Sequence, residues 1–251
     1  MKHLFTPEGE AALQAILALR PLLAFDFDGT LAPIVVRPDD ARVPPAVARH
    51  LETIAREFPV AILTGRSVAD VTPRLGFAPL YVIGNHGAED PAGSTPLGGD
   101  ALDALRLRLA GDPGLAGAGV VVEDKRLSLA LHYRTAADPQ AALVRIDALL
   151  AGIEPALTRF GGKFVVNVVA AGLPDKGDAL LELVRRTGVE AAMFVGDDVT
   201  DEAVFRRARA PWLTVRIGRD DPRSAAMFGL DSETELVTVL ARLAALPPPL
   251  P

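Results

Sequence analysis

Residues 22–27 read Leu-Leu-Ala-Phe-Asp-Phe, an apolar run broken by a single acid, and the chain continues Asp28-Gly29-Thr30. A short run with no polar alternation is the pattern of a strand buried on both faces. Such a strand belongs in a parallel sheet covered by helices, and this demand constrains the rest of the chain more than any other feature. Two acids at the tip of that strand, Asp26 and Asp28, are costly to bury unless they are paired or bound to a cation. Their i, i+2 spacing directs both to one side of an extended strand, and Gly29 permits a sharp exit.

The neighbouring segments meet the demand. Residues 60–63 and 80–84 are two more short apolar runs. Residues 44–58 carry Val47, Leu51, Ile54 and Phe58 on one helical face, and Ser67 with Asp70 marks a helix start. Strands alternating with helices of this length imply right-handed parallel crossovers. Upstream, Leu13, Ile16 and Leu17 share a helical face after the start signal Thr6-Pro7-Glu8. Glu8 and Glu10 stand where a secretory signal is basic, and residues 11–23 fall short of the roughly 18 apolar residues of a membrane span. The expectation is an amphipathic first helix in a cytoplasmic protein with no membrane partner.

The middle of the chain has another rhythm. Residues 91–100 are rich in Gly and Pro and read as a crossing between domains. A helix at 101–110 precedes strands at 120–124 and 128–134, joined closely enough for an antiparallel hairpin. In the second strand Leu129, Leu131 and Tyr133 alternate with Ala130, His132 and Arg134, so one face is expected to be buried and the other polar. A helix at 139–150 and strands at 155–160 and 163–169 repeat that order. The crossover pattern then resumes with helix 176–187, strand 192–195, helix 200–208 and strand 212–217, where Trp212 is expected in the core. Ser232 with Glu235 opens a last helix, and the proline tail 247–251 reads as disordered. The expected fold is α/β: a Rossmann-like parallel-sheet core of residues 1–92 and 172–251, interrupted by an α+β cap at 93–171, with hinges at 91–100 and 172–175.

The 251 residues include no cysteine, which excludes disulfides, thiolate metal sites and cysteine nucleophiles. A net charge of -6 speaks against a nucleic-acid partner. It leaves anionic substrates open, because one bound cation reverses the local field.

Ligands on open parallel sheets bind beyond the carboxyl ends of the strands. Beside Asp26 and Asp28, three further elements place polar groups there. Thr64-Gly65-Arg66 offers a hydroxyl and a close backbone approach suited to phosphate, or a simple turn. Lys176 opens a helix, where a cation is unfavourable unless an anion binds beside it or water solvates it. Gly196-Asp197-Asp198-Val199-Thr200-Asp201 carries three acids; capping accounts for one, and a hard divalent cation accounts for the set.

In order, Asp26-x-Asp28-Gly29-Thr30, Thr64-Gly65-Arg66, Lys176 and Gly196-Asp197-Asp198-x-Thr200-Asp201 resemble the four motifs of the haloacid dehalogenase superfamily of phosphohydrolases. Gly84-Asn85-His86-Gly87-Ala88-Glu89, Val122-Glu123-Asp124-Lys125 and His132-Tyr133-Arg134 narrow the resemblance to the trehalose-6-phosphate phosphatase family, over nearly the whole chain. The resemblance implies a magnesium-dependent phosphatase working through an aspartyl-phosphate, with trehalose 6-phosphate as its small-molecule partner and a functional coupling to a trehalose-phosphate synthase. It assigns Asp26 as nucleophile, Asp28 as general acid and base, and Thr64 and Lys176 as holders of the phosphate oxygens, with Gly65 and Arg66 at the substrate. Mg²⁺ would be held by Asp26, Asp197 and the backbone carbonyl of Asp28, with Asp198 acting through water or from behind. Asp201 would orient Lys176 or the metal shell.

In the cap, Glu123, Lys125 and Arg134 match sugar-contacting positions, although a surface ion pair across the hairpin is the simpler reading of such charges. His86 and His132 are expected to be structural. Asn167 stands where the family usually carries Glu, and residues 170–173 lack the basic residue often found before the motif lysine. These departures keep another sugar phosphate or a glycosyl-phosphoglycerate open as substrate. An inactive sugar-phosphate sensor is the reading from a different class.

Overall fold

The apolar run at residue 22 becomes the strand Leu22–Phe25, with all four side chains buried and a parallel neighbour on each side. In the computed structural model, which describes residues 1–93, 99–162 and 164–246, the chain divides into two compact units. Met1–Ala92 with Pro174–Pro251 form the first, and Gly93–Leu173 the second. Residues 94–98 of the expected crossing, residue 163 at the start of an expected strand, and the proline tail 247–251 lie outside the described residues.

In chain order the first unit begins with β1 (Lys2–His3), α1 (Pro7–Ala18), β2 (Leu22–Phe25), α2 (Pro45–Ile54), β3 (Val60–Leu63), α3 (Val68–Leu75) and β4 (Tyr81–Ile83). The second unit comprises α4 (Gly99–Ala110), α5 (Pro113–Gly117), β5 (Val121–Asp124), β6 (Ser128–His132), α6 (Pro139–Leu149), β7 (Leu157–Gly162) and β8 (Val165–Ala170). The first unit is then completed by α7 (Lys176–Thr187), β9 (Ala192–Gly196), α8 (Glu202–Arg207), β10 (Leu213–Ile217), β11 (Phe228–Leu230) and α9 (Glu233–Ala244).

The sheet of the first unit has the order β1-β11-β10-β9-β2-β3-β4, and every neighbouring pair is parallel. From β2 the chain moves outward to β3 and β4, then returns on the other side at β9. The order reverses between β2 and β9, which is where a crevice opens at the carboxyl edge of such a sheet. Successive residues of β2 serve opposite faces. Leu23 and Phe25 join a core with Leu13 and Ile16 of α1, Leu51 of α2 and Leu240 of α9, while Leu22 and Ala24 join Leu180 and Leu183 of α7.

Local chemistry fixes the helix starts. The Thr6 hydroxyl accepts the Gly9 N–H, and the Ser67 hydroxyl accepts the Asp70 N–H. Ser232 precedes α9 but its side chain makes no cap bond; the Glu235 carboxylate accepts the Asp231 N–H instead. Trp212 is buried, as expected, and its indole N–H donates to the Glu190 carbonyl. The short β1, β11 and α5 are additions, too brief for periodicity to announce.

The second unit is a four-stranded antiparallel sheet, β5-β6-β8-β7. Leu129, Leu131, Val166 and Val168 pack with Leu102 and Leu105 of α4 and Ile146 of α6. Tyr133 lies past the end of β6, and Ala130, on the face expected to be polar, is buried, as is Ser128. No helix among the described residues is long and apolar enough to cross a membrane.

Candidate active site

The Asp26 N–H donates to the Val195 carbonyl, so the residue is held against β9 at the switch point. The residue is almost wholly buried, 4% exposed. The i, i+2 expectation for Asp26 and Asp28 assumed that the strand ran through both. β2 instead ends at Phe25, and the chain turns around the Phe27 carbonyl, which accepts from Leu31 and Ala32. The two carboxylates therefore take different partners.

Asp26 meets Lys176. The ammonium donates to Asp26 Oδ1 at 2.8 Å and to Asp201 Oδ1 at 2.7 Å, and all three groups are buried. Lys176 stands at the start of α7, whose cap Asp175 accepts the N–H groups of Gly177 and Asp178. The unfavourable helix end is offset by the two carboxylates. Asp201 uses its other oxygen for the N–H groups of Asp197 and Asp198, at 2.8 and 2.9 Å. It ties the loop after β9 to the lysine, the first of the two roles open to it from sequence.

Burial pushes the Asp26 carboxyl well above the usual carboxylate range; Lys176 opposes this, and the charges of Asp201 and Asp197 reinforce it. Burial alone would lower the Lys176 ammonium, but Asp201 and Asp26 outweigh it and hold it above its ordinary value. Asp26, Asp197 and Asp201 each bring a carboxylate oxygen within 4.8 Å of the others. Three carboxyl groups share one ammonium, so the cluster has more acids than cations to balance them. Gly29, at φ +81°, passes so close to Asp197 that a Cβ would stand 2.3 Å from its Oδ2. An all-oxygen donor set with acids in excess and a glycine making room beside it fits a hard divalent cation such as Mg²⁺. Asp198, expected to act through water or from behind, is outside this trio, whose third member is Asp201.

Asp28 turns to Arg66. The Arg66 Nε donates to Asp28 Oδ2 at 2.7 Å and Nη2 to Oδ1 at 2.8 Å. Nη1 donates to Asp70 Oδ2 and Nη2 also to the Pro38 carbonyl. Burial lowers the guanidinium, but the bonds and charges of Asp28 and Asp70 push it above its ordinary value. Arg66, expected at the substrate, thus has all three nitrogens engaged within the protein. The i, i+4 spacing of Arg66 and Asp70 is the sequence signal that could have revealed it. Gly65 has a local reason as well: its Cβ would lie 2.3 Å from His86 Cε1, so the histidine ring packs against it. Thr64 is buried at the end of β3, and its hydroxyl accepts the Arg66 N–H at 3.2 Å.

In the second unit, Glu123 Oε2 lies 2.8 Å from His132 Nε2 and 3.7 Å from Lys125 Nζ. Arg134 follows the end of β6. Glu123, Ala130, Asn167 and Phe160 stand opposite one another across four strands, which puts Glu123 and Asn167 on one face of the sheet.

A family model described as trehalose-phosphatase matches residues 24–94 and 116–218. A trehalose-phosphate phosphatase of Mycolicibacterium paratuberculosis is 36% identical over 247 residues, covering 89% of this chain and 62% of that protein. One from Mycobacterium tuberculosis is 33% identical over 259 residues, covering 93% and 65%. Among solved structures, the C-terminal domain of Candida albicans trehalose-6-phosphate phosphatase superposes with a TM-score of 0.73 at 22% identity, over 95% of this chain and 97% of that one. A phosphatase of the haloalkanoate (HAD) superfamily from Bacteroides thetaiotaomicron gives 0.62 at 19%, over 90% and 96%. These likenesses establish the haloacid dehalogenase type of fold. The chain spans less than two thirds of the length of the curated relatives it matches.

Proposed function

Because this chain belongs to the trehalose-phosphatase family, we propose that it hydrolyses trehalose 6-phosphate to trehalose and inorganic phosphate, with Asp26 as nucleophile. The observation that carries this reading is the buried Lys176 ammonium bonded to both Asp26 and Asp201 at the switch point of the parallel sheet. A lysine and carboxylates sequestered together at that edge are expensive unless chemistry uses them.

An oxygen of Asp26 forms a bond to phosphorus while the bond from phosphorus to the sugar oxygen breaks, leaving an aspartyl-phosphate. Asp28 gives the departing oxygen its proton, then takes one from the water that displaces Asp26 and releases phosphate. Lys176 and Thr64 hold the phosphoryl oxygens against the charge that spreads onto them. Asp26, Asp197 and the carbonyl of Asp28 would hold Mg²⁺, with Asp198 supporting it; when bound, the ion offsets the repulsion between carboxylate and phosphate. Glu123, Lys125 and Arg134 serve the sugar hydroxyls as acceptor and donors, with Asn167 beside them. The two units divide this work, catalysis in Met1–Ala92 with Pro174–Pro251 and sugar choice in Gly93–Leu173, two residues beyond the limit of 171 expected from sequence. The enzyme acts in the cytoplasm on the product of a trehalose-phosphate synthase.

Asn167 gives a second reading its footing. An amide in mid-strand, where the family usually carries a carboxylate, suits another phosphorylated sugar. Phosphate release from trehalose 6-phosphate, sucrose 6-phosphate and glucose 6-phosphate separates the two. The expected kcat/KM for trehalose 6-phosphate is at least about 10-fold the others, lost with EDTA and restored by Mg²⁺. Equal values for all three sugars would overturn the choice of substrate. Tight binding without turnover would favour the sensor.

A further inference from the structure

Of the two acids that follow β2, Asp28 is the one outside the buried trio, yet it has the more elaborate support. Arg66 grips it with two parallel bonds, Nε to Oδ2 at 2.7 Å and Nη2 to Oδ1 at 2.8 Å. A carboxyl on a single methylene turns easily about its last torsion, and a two-pronged grip removes that freedom where a single donor would not. The fork takes one lone pair from each oxygen and leaves the others for a proton in transit.

The fork is itself fixed. Arg66 is 8% exposed and its guanidinium lies 5.2 Å from the centre of the Phe27 ring. Nη1 is held by Asp70 Oδ2 at 2.8 Å, and Nη2 by the Pro38 carbonyl at 3.0 Å. Asp70 is held in turn by the guanidinium of Arg74 through its other oxygen and by the Ser67 hydroxyl at its backbone N–H. An arginine meant for the substrate would present donors to solvent. Here every nitrogen of the guanidinium already has a protein acceptor.

We infer that Arg66 is the positioning residue of Asp28, setting the plane of its carboxyl for proton transfer, and that Asp70 and the Pro38 carbonyl hold Arg66 in place. This rests on the two-step phosphatase reading above. In that scheme Asp28 acts twice, and 4-nitrophenyl phosphate separates the two occasions. Its leaving group departs without a proton, so only the later attack of water needs Asp28.

The test compares the whole wild-type chain with Arg66→Lys and Asp70→Asn, each checked by thermal unfolding. Arg66→Lys keeps the charge and loses the fork. Its kcat on trehalose 6-phosphate is expected to fall about 10- to 100-fold, with KM changed less than about 3-fold. On 4-nitrophenyl phosphate it should release nearly one equivalent of nitrophenolate per enzyme in a burst, then turn over slowly, as phosphoenzyme accumulates. Asp70→Asn, which touches Arg66 and not Asp28, should give the same burst with a smaller fall, about 3- to 10-fold. It decides the matter if the lysine variant does not fold. A raised KM with unchanged kcat would make Arg66 a substrate contact and overturn the inference. A loss without a burst in either variant would overturn it too. Wild type that turns over neither ester would sink the phosphatase reading itself; active wild type with unaltered variants would sink only the role of Arg66.

Discussion

Among the described residues, the charged side chains that are buried all belong to the first unit, and the second keeps its charges nearer the surface. In the first, Asp26, Asp197, Asp201 and Lys176 are buried, none more than 6% exposed. In the second, the ion pairs of Arg106 with Asp103 and Asp124, Arg145 with Asp112 and Arg159 with Asp147 lie at the surface, each with at least one side chain 44% or more exposed. Sheet direction explains the difference. Parallel strands all leave at one edge, so residues distant in sequence, 26, 64 and 197, arrive together beside the helix start at 176. Antiparallel strands leave at alternate edges, and the second unit offers a face rather than a point of convergence. Buried charge costs folding free energy that exposed pairs never risk. Where a chain retains it, chemistry is the first explanation to test.

The largest effect should come from the buried set. Asp26→Asn is expected to lower turnover of trehalose 6-phosphate by about 10⁴-fold or more, read as phosphate release. Stability should hold or rise, because the substitution removes an acid whose charged form is disfavoured by burial and by Asp201 and Asp197. A variant with half its turnover left would break the contrast between the units. Lys176→Met addresses stability instead. It strands Asp26 and Asp201 without their common cation and should destabilise the protein by about 3–5 kcal/mol in denaturant titration. A loss under about 1 kcal/mol, the size expected of a surface pair, would mean that burial in the first unit has no special consequence.

The same contrast decides what could be read from sequence. The parallel core was legible because its strands are short unbroken apolar runs, and the β3 limits at Val60 and Leu63 coincide with the expected ones. The element order of the second unit was legible from its repeated helix and hairpin. At the site, Asp26 and Lys176 were visible as acids and a cation in places that local structure disfavours. What escaped was pairing. Nothing in the spacing of Asp28 and Arg66, 38 residues apart, says that the fork exists. The early end of β2 at Phe25, which parts Asp28 from Asp26, depends on a turn closed by backbone bonds. Asp201 was left between two roles, because its bonds to Lys176 and to two backbone N–H groups come from the fold rather than from its motif.

For the second unit the expected effects are smaller and selective. Glu123 is partnered by His132 and Lys125 within its own sheet. Glu123→Ala should raise KM for trehalose 6-phosphate about 10-fold, the worth of a hydrogen bond to a charged acceptor. Turnover of 4-nitrophenyl phosphate, which has no sugar to recognise, should stay within about 2-fold of wild type by the same reasoning. Equal losses on both esters would place Glu123 in general support of the fold and erase the division of labour between the units.

The smallest effect belongs to the exposed pair of Arg106 and Asp124, whose carboxylate accepts from Nε at 2.8 Å and Nη2 at 3.0 Å. The Arg106 bonds, opposed by burial and aided by the Arg126 N–H, hold the Asp124 carboxyl below the usual carboxylate range. A carboxyl held lower in the folded chain than in the unfolded one adds stability in full above the unfolded value, about 3.9, and loses it as pH falls through the folded value. Water screens this half-exposed group, so the contribution is a few tenths to about 1 kcal/mol. Asp124→Asn should therefore be less stable than wild type by that amount at pH 7, by the same amount at pH 5, and by progressively less below pH 4. The gap should also narrow in about 1 M salt, where the screening length is only about 3 Å. A gap above about 2 kcal/mol, or one that widens on acidification, would show that the second unit depends on its charges as the first does, and sheet direction would no longer separate the two.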